Sequence, residues 1–171
     1  MNAGTPATTV RRATTADLGA IGRLGALLVR QHHEYDPRRF IAPPARIEEG
    51  YASFLGKQLE NPDVLVLVAE CEGRVLGYTY AGLEGYDYMA LRGPAGALYD
   101  IVVDPAERGQ GVGRLLLDAT LAELAARGAP RVVLSTAVPN QGAQRLFEGA
   151  GFRRTMIEMT RELEQERGHG E

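Results

Sequence analysis

The feature that most constrains this chain is a strand, a glycine-rich turn and a helix in direct succession. Residues 98–103 are branched and aromatic, as is typical of a strand, and the apolar repeat after residue 111 predicts a helix. The turn between them, DPAERGQGVG, has glycine at three alternate positions. The N–H groups in the first turn of a helix lack internal partners, and the helix dipole adds positive charge there. Without β-carbons, a diphosphate can approach this backbone closely, so the segment predicts a phosphate-binding site.

The spacing of the glycines decides between the known kinds of phosphate loop. A P-loop requires a lysine followed by Ser or Thr after its last glycine, and this sequence has none. The dinucleotide motif G-x-G-x-x-G fails because Arg114 occupies its last position when the motif is read from Gly109. The pattern that fits is Arg-x-x-Gly-x-Gly over residues 108–113. On this motif alone, a plain strand–helix connection stays open as the alternative.

Composition limits the remaining possibilities. A chain of 171 residues predicts one domain over 1–171, with loose tails at 1–7 and 164–171. The net charge of −3 and the absence of a basic block argue against a nucleic-acid partner. One cysteine excludes an internal disulfide and a cysteine metal cluster, so no metal is expected. No run is apolar enough to span a membrane and no signal-peptide core is visible, which predicts a cytoplasmic protein without a membrane partner.

The elements around the turn are predicted from periodicity and from breaking residues. Prolines at 37, 43 and 44 interrupt the helical pattern of the first third of the chain. The predicted order is a strand at 8–13, a helix from about 17, an irregular segment at 31–44, a helix at 45–59, a hairpin at 64–70 and 74–83, a loop at 84–95, the strand and helix already described, a strand at 131–136, a helix at 143–150 and a last strand at 152–163.

A second motif makes the assignment specific. Asn140 begins the pattern N-x-x-A-x-x-L-F-x-x-x-G-F, which ends at Phe152. Together with the glycine turn, in this order and separated by one helix and one strand, it resembles the GNAT superfamily of N-acetyltransferases over residues 98–160. The resemblance implies an α/β (α+β) fold: a mixed, mostly antiparallel central sheet flanked by helices, with its central strands splayed apart.

The same resemblance implies the co-substrate and the residues that bind it. The expected acyl donor is acetyl-CoA, with no metal. Its pantetheine arm is expected on the backbone of Val102 and Val103, with Asn140 near the arm or acting only as a helix cap. Arg114 is expected near a CoA phosphate or, as the alternative, as a surface charge. The remaining expected cofactor-binding residues are Arg108, Gly109, Gln110, Gly111, Val112 and Gly113.

The catalytic residues are less clear from the sequence. Many relatives carry a tyrosine acid at the position of Phe147, which has no proton to give. On the central strand, Tyr99 is a candidate acid or proton relay, and Asp100, expected on the opposite face of the strand, is a candidate base. Their alternatives are packing and a structural hydrogen-bonded carboxylate. The candidate substrate-binding residues, in two irregular segments, are His32, His33, Glu84 and Tyr86.

These patterns predict an enzyme that acetylates a primary amine, most simply of a small molecule, by direct attack in a ternary complex. Acetylation of a protein α-amine or lysine is the alternative within the same fold. A non-catalytic acyl-CoA sensor is the alternative of another class, which the missing tyrosine acid makes plausible. Relatives often dimerise, so the resemblance allows a homodimer.

Overall fold

The computed structural model describes residues 7–163. The predicted C-terminal tail at 164–171, and all but residue 7 of the predicted N-terminal tail at 1–7, lie outside the described residues. Two 3-10 turns, at Thr15–Asp17 and Pro105–Glu107, precede α1 and α3. The strands are β1 (Thr9–Arg12), β2 (Val64–Cys71), β3 (Arg74–Glu84), β4 (Ala95–Val103) and β5 (Val132–Leu134), and the helices are α1 (Leu18–Tyr35), α2 (Ile47–Gln58), α3 (Val112–Ala126) and α4 (Gln141–Gly149).

The strands form one mixed sheet in the order β1-β2-β3-β4-β5. The first four strands pair antiparallel with their neighbours, and β5 pairs parallel with β4. The parallel pair is joined through α3, because a parallel connection needs a crossover of this length. The predicted fold class, a mostly antiparallel sheet flanked by helices, is therefore confirmed.

Helices cover both faces of the sheet. On one face, α1 and α2 pack on the sheet around Ile21, Leu55 and Tyr78, all fully buried. On the other, α3 and α4 enclose a cluster that includes Leu116 and Phe147. Each fully buried side chain of this size contributes about 1.5–3 kcal/mol. These two apolar layers hold the central strand β4 in place.

A bulge in β4 changes the direction of two predicted catalytic side chains. Asp100 pairs with Tyr80 and Leu98 pairs with Ala81, so Tyr99 is the extra residue of a bulge. Tyr99 contacts Tyr80 and Asp100 contacts Tyr78, both on the α1–α2 side of the sheet. The expectation that Tyr99 and Asp100 lie on opposite faces is wrong, because the bulge interrupts the alternation on which it was based.

The central strands β4 and β5 separate after a short pairing. Their ladder covers only residues 96–98 of β4 and 132–134 of β5. β4 begins three residues before the predicted strand. These three added residues, 95–97, are small, and α3 packs closely against them. A β-carbon on Gly96 would come within 2.9 Å of Leu124. Beyond Leu98, no strand of the described chain pairs with the β5-facing edge of β4, as the predicted splay requires.

Two element predictions need correction. α1 runs on to Tyr35, although the helical pattern was expected to end near residue 31. It ends only where Asp36, which precedes a proline, adopts an extended conformation (φ −157°, ψ 97°). The last strand predicted at 152–163 is absent, since these residues form neither strand nor helix. Alternation predicts a strand only where a partner edge is available to pair with it.

Candidate active site

A cavity of about 230 Å³ lies where β4 and β5 separate. Its walls come from the centre of β4, the end of β5, the first turns of α4, the end of α1 and the segment that follows α1. The lining residues are Leu28, Val29, His32, Phe40, Ile41, Leu98, Tyr99, Asp100, Ile101, Leu134, Ser135, Thr136, Asn140, Ala143 and Phe147. The cavity has apolar walls and a few polar groups, which is typical of a small-molecule site.

The glycine turn has the geometry of an anion cradle. Gly109 and Gly111 have φ values of 77° and 83°, a region that residues with a β-carbon rarely adopt. The first bond of α3 runs from the N–H of Leu115 to the carbonyl of Gly111, 3.0 Å apart. The N–H groups of the three helical residues before Leu115 are therefore left for a ligand. Among residues 7–163, and apart from its two chain neighbours, no atom lies within 4 Å of a β-carbon built on Gly111, so the cradle opens outward.

The two arginines of the turn differ in their contacts. Arg108 donates weakly to the carbonyl of Val103 (3.3 Å), and within residues 7–163 no carboxylate is close enough to form an ion pair with it. Arg114 contacts both oxygens of Asp118 at 2.8 Å and donates to the carbonyl of Gly149 at 3.1 Å. Arg108 is thus the cation with free donors at the cradle. The contacts of Arg114 favour its alternative interpretation as a structural surface charge.

Asn140 lies at the start of α4 and at the wall of the cavity. Its side-chain oxygen caps α4 by accepting a hydrogen bond from the N–H of Ala143 at 3.3 Å. The same residue lines the cavity. The cap uses only the oxygen, so the amide NH₂ group keeps its donors for a ligand.

Asp100 is buried in a hydrogen-bonded group. It accepts the hydroxyl protons of Tyr51 (2.9 Å) and Tyr78 (2.8 Å). Burial raises the pKa of Asp100 above its ordinary value, and the two hydrogen bonds act in the opposite direction. Burial beside this carboxylate also raises the pKa of both tyrosines, so their protons stay in place. These contacts favour the structural alternative for Asp100.

We expect Asp100→Asn to keep activity within a few-fold, because an amide oxygen can still accept both phenol protons. The raised pKa means that the folded protein holds the Asp100 proton more tightly than the unfolded chain does. Wild type therefore loses stability as the pH rises from about 4 through the folded-state pKa, and Asp100→Asn has no such loss. The difference in unfolding free energy, measured by urea titration, should grow over this range in favour of Asp100→Asn. A loss of activity above about a hundredfold would instead identify Asp100 as the base.

Tyr99 and Glu84 form a second polar group, in which Tyr99 lines the cavity and Glu84 lies outside its lining. The Tyr99 hydroxyl donates to Glu84 at 2.7 Å, and Glu84 also pairs with Arg92. Two effects raise the pKa of Tyr99: partial burial is the larger, and this hydrogen bond is the second. A phenol with a raised pKa gives up its proton less readily, so the contacts argue against Tyr99 as the acid that protonates a leaving thiolate. They suit a phenol that passes protons to a carboxylate.

The other predicted substrate contacts separate into two groups. His32 lines the cavity, and its Nδ1 donates to the carbonyl of Leu28 at 2.8 Å, which leaves Nε2 as an acceptor in the neutral ring. The Nδ1 of His33 instead donates to the carbonyl of Phe40 at 3.1 Å and holds the segment after α1. Tyr86 stacks on Tyr88 and is 69% exposed, outside the cavity lining. The structure therefore brings His32 into the cavity but not His33 or Tyr86.

Thr136 is a site residue that the sequence did not single out. It follows β5 by two residues and lines the cavity, and its buried hydroxyl has no hydrogen-bond partner in the described part of the chain. Buried hydroxyl groups are normally paired, which makes this one a candidate ligand contact. Its place beyond the end of a parallel strand, where ligands commonly bind, was the available sequence signal. Phe147, also in the lining, supplies no proton donor.

The described part of the chain has neither a cluster of metal ligands nor a helix that could span a membrane. Within residues 7–163, no set of three or more His, Cys, Asp or Glu side chains is grouped as a metal site. None of the helices in that range has the length and hydropathy needed to cross a membrane.

The sequence matches the acetyltransferase (GNAT) family over residues 28–152. It is 30% identical over 145 residues to the uncharacterized N-acetyltransferase YhfO of Bacillus subtilis, a match that covers 84% of this chain and 88% of that protein. It is 40% identical over 96 residues to the mycothiol acetyltransferase of Thermobispora bispora. That match covers 54% of this chain and 31% of the relative, so the chain spans about a third of the length of the mycothiol acetyltransferase it matches.

Solved structures share the fold. A mutant of the BH1408 protein from Bacillus halodurans superposes with a TM-score of 0.77 at 22% identity, covering 91% of this chain and 99% of that one. The aminoglycoside N-acetyltransferase AAC(6')-Iy, in a complex with CoA, superposes with a TM-score of 0.73 at 17% identity, covering 95% and 99%. At these identities the likeness concerns the fold alone.

Proposed function

Because this chain belongs to the acetyltransferase (GNAT) family, we propose that it transfers the acetyl group of acetyl-CoA to a primary amine of a small molecule, by direct attack within a ternary complex. The observation that carries the proposal is that the glycine cradle and the cavity lie against the same two elements. A β-carbon on Gly113 would lie 3.5 Å from Leu146 of α4 and 3.6 Å from Val103 of β4, and other residues of β4 and α4 line the cavity. This proximity supports one extended ligand that occupies both.

The residues present fit acetyl-CoA, which supplies the acetyl thioester. The free N–H groups at the start of α3 and the guanidinium of Arg108 suit a diphosphate. The edge of β4 beyond Leu98 offers backbone groups without a strand partner among the described residues, which suits the amides of a pantetheine arm. The amide of Asn140 and the hydroxyl of Thr136 supply further donors along the cavity wall.

The amine must lose a proton before its nitrogen can attack, since an alkylammonium has a pKa of about 10. Tyr99 at the cavity wall offers a phenol, and Glu84 offers a carboxylate whose oxygen lies 2.7 Å from the phenol oxygen. We assign the binding of the ammonium to this pair. The phenol oxygen of Tyr99 accepts a proton from the ammonium while the phenol gives its own proton to Glu84. The phenol is thereby restored, and Glu84 becomes a neutral carboxylic acid.

Thr136→Val should raise stability and lower activity together. Valine keeps the shape and removes an unpaired buried hydroxyl, which should raise the unfolding free energy by about 1 kcal/mol. If the hydroxyl donates to the sulfur of the leaving thiolate, losing a hydrogen bond to a charged group should lower kcat by about 10- to 100-fold. Thr136→Ser keeps the hydroxyl and is the control. An unchanged kcat in Thr136→Val would show that the Thr136 hydroxyl takes no part in the reaction.

Release of free CoA thiol tests the function directly. Purified protein is supplied with acetyl-CoA and a panel of small amines, including an aminoglycoside, because a solved enzyme with this fold is named for that class. Thiol release with at least one small amine, and none with peptides bearing a free α-amine or lysine, is the expected result. Release with peptides alone would favour the protein acetyltransferase. Acetyl-CoA binding without release on either panel would favour the sensor.

A further inference from the structure

The Tyr99 phenol belongs to a row of aromatic side chains that runs from the cavity to α2. The ring of Tyr99 lies 4.7 Å from that of Tyr80, measured between centroids, and the ring of Tyr80 lies 5.7 Å from that of Phe54 in an edge-to-face contact. These three rings form the aromatic row. Of the three, Tyr99 alone lines the cavity, so the row continues the cavity wall onto the surface of the protein.

A glycine lets Tyr99 lie across β3. Residues 80, 82 and 84 of that strand project to one face, because successive side chains alternate. A β-carbon on Gly82 would lie 3.3 Å from the ring and from the hydroxyl oxygen of Tyr99, closer than an ordinary van der Waals contact. With glycine there, the Tyr99 ring contacts Tyr80 while its hydroxyl donates to Glu84. A carboxylate therefore stands at one end of the aromatic row, and Phe54 stands at the other.

The outer surface of the aromatic row is open. Phe54 is 47% exposed and Tyr99 is 43% exposed, and the exposed side chain of Ile41 adds a further apolar group at the cavity wall. Phe54 belongs to neither of the two apolar clusters formed by the described residues, so core packing does not account for its ring. Exposed apolar side chains that adjoin a cavity commonly mark a ligand-binding surface.

The charges beside the aromatic row suit a single ammonium group. Glu84 accepts a hydrogen bond from Arg92, and a carboxylate oxygen of Asp87 lies 3.8 Å from the same nitrogen. Arg92 thus offsets part of the negative charge of the two carboxylates. A monoamine with an apolar body fits this balance better than a polycation, which needs several free carboxylates.

We propose that the acceptor is a primary amine with an aryl group on a short alkyl chain, and that its ring packs on the aromatic row. The ammonium lies at Tyr99 and Glu84, and the aryl ring lies against Tyr80 and Phe54. Aromatic rings at such distances attract one another beyond the effect of the area that they bury. This inference rests on the proposed acetyl transfer and names the class of amine that it uses.

A comparison of two amines gives the first test. Phenethylamine and hexylamine each carry one ammonium and an apolar body of similar length, and only phenethylamine has an aryl ring. In wild type, kcat/KM should be about fivefold higher for phenethylamine. Phe54→Ala and Phe54→Leu both remove the outer ring and should each reduce this ratio severalfold. Tyr88→Ala removes another exposed ring, which stacks on Tyr86 outside the row, and should keep the wild-type ratio. Circular dichroism verifies that each variant is folded.

Binding of phenethylamine to the protein with CoA bound separates this inference from the transfer itself. The Kd, measured by calorimetry, should rise about fivefold in Phe54→Ala and stay at the wild-type value in Tyr88→Ala. If the amine binds in this way but no thiol is released, the aromatic row is supported and the proposed transfer fails. If thiol is released with no preference for phenethylamine, or if the preference survives both changes at Phe54, the inference is overturned and the transfer stands. Neither binding nor release would overturn both.

Discussion

Replacement of Gly111 by valine should abolish acetyl-CoA binding and leave a folded protein. Gly111 has φ 83°, where a β-branched residue is strained by about 1–3 kcal/mol, so the turn must move or carry that strain. The added side chain also stands beside the N–H groups that the diphosphate needs. We expect the Kd for acetyl-CoA, measured by calorimetry, to rise by at least about a hundredfold, equivalent to about 2.7 kcal/mol.

Gly128 provides the matched control for that change. It has φ 86° and lies beyond the opposite end of α3, and in the described part of the chain no atom other than those of its neighbours lies within 4 Å of a β-carbon built on it. Gly128→Val should therefore introduce comparable strain without touching the cradle. Equal affinities of Gly111→Val and wild type would refute the assignment of the turn to acetyl-CoA. A similar loss in Gly128→Val would mean that strain alone, and not the cradle, lowers the affinity.

Tyr99→Phe and Glu84→Gln should each lower kcat by about 10²–10⁴, the usual contribution of a positioned acid or base, with little change in acetyl-CoA affinity. In the proposed relay, both side chains belong to one proton path through the 2.7 Å hydrogen bond between them. Removal of either interrupts that path, so the double variant should be little slower than the slower single variant. Steady-state kinetics with an accepted amine measures all three variants.

Tyr86→Phe is the control for the loss of a phenol, because Tyr86 is 69% exposed and lies outside the cavity lining. Its kcat should equal that of wild type. If Tyr99 is only packed against Tyr80, as their ring distance of 4.7 Å also allows, Tyr99→Phe should stay within a few-fold of wild type. In that case, the relay is refuted and Glu84 alone can be retained as an ammonium contact. If the two single-variant losses of kcat multiply in the double variant, Tyr99 and Glu84 act independently and do not share one proton path.

Local sequence was sufficient for the parts of this protein that depend on neighbouring residues. The glycines at 109 and 111 were predicted to form the turn, and both adopt the positive φ values that residues without a β-carbon tolerate. The first three strands and the cap of α4 at Asn140 also lie where short-range patterns predicted them, and β4 begins only three residues before its predicted start. Such features need only the few residues around them, which is why periodicity and spacing could find them.

Contacts between distant segments decided the rest. The bulge at Tyr99 arises from the register between β3 and β4, and no local pattern reports that register. The group of Asp100 with Tyr51 and Tyr78 joins three elements far apart in sequence, and burial within it raises the pKa of the carboxylate. The segment at 152–163 has the alternation of a strand, but a strand forms only beside an edge with free main-chain groups. Alternation is local, whereas pairing, burial and the exposed fraction of a side chain depend on what the folded chain brings alongside.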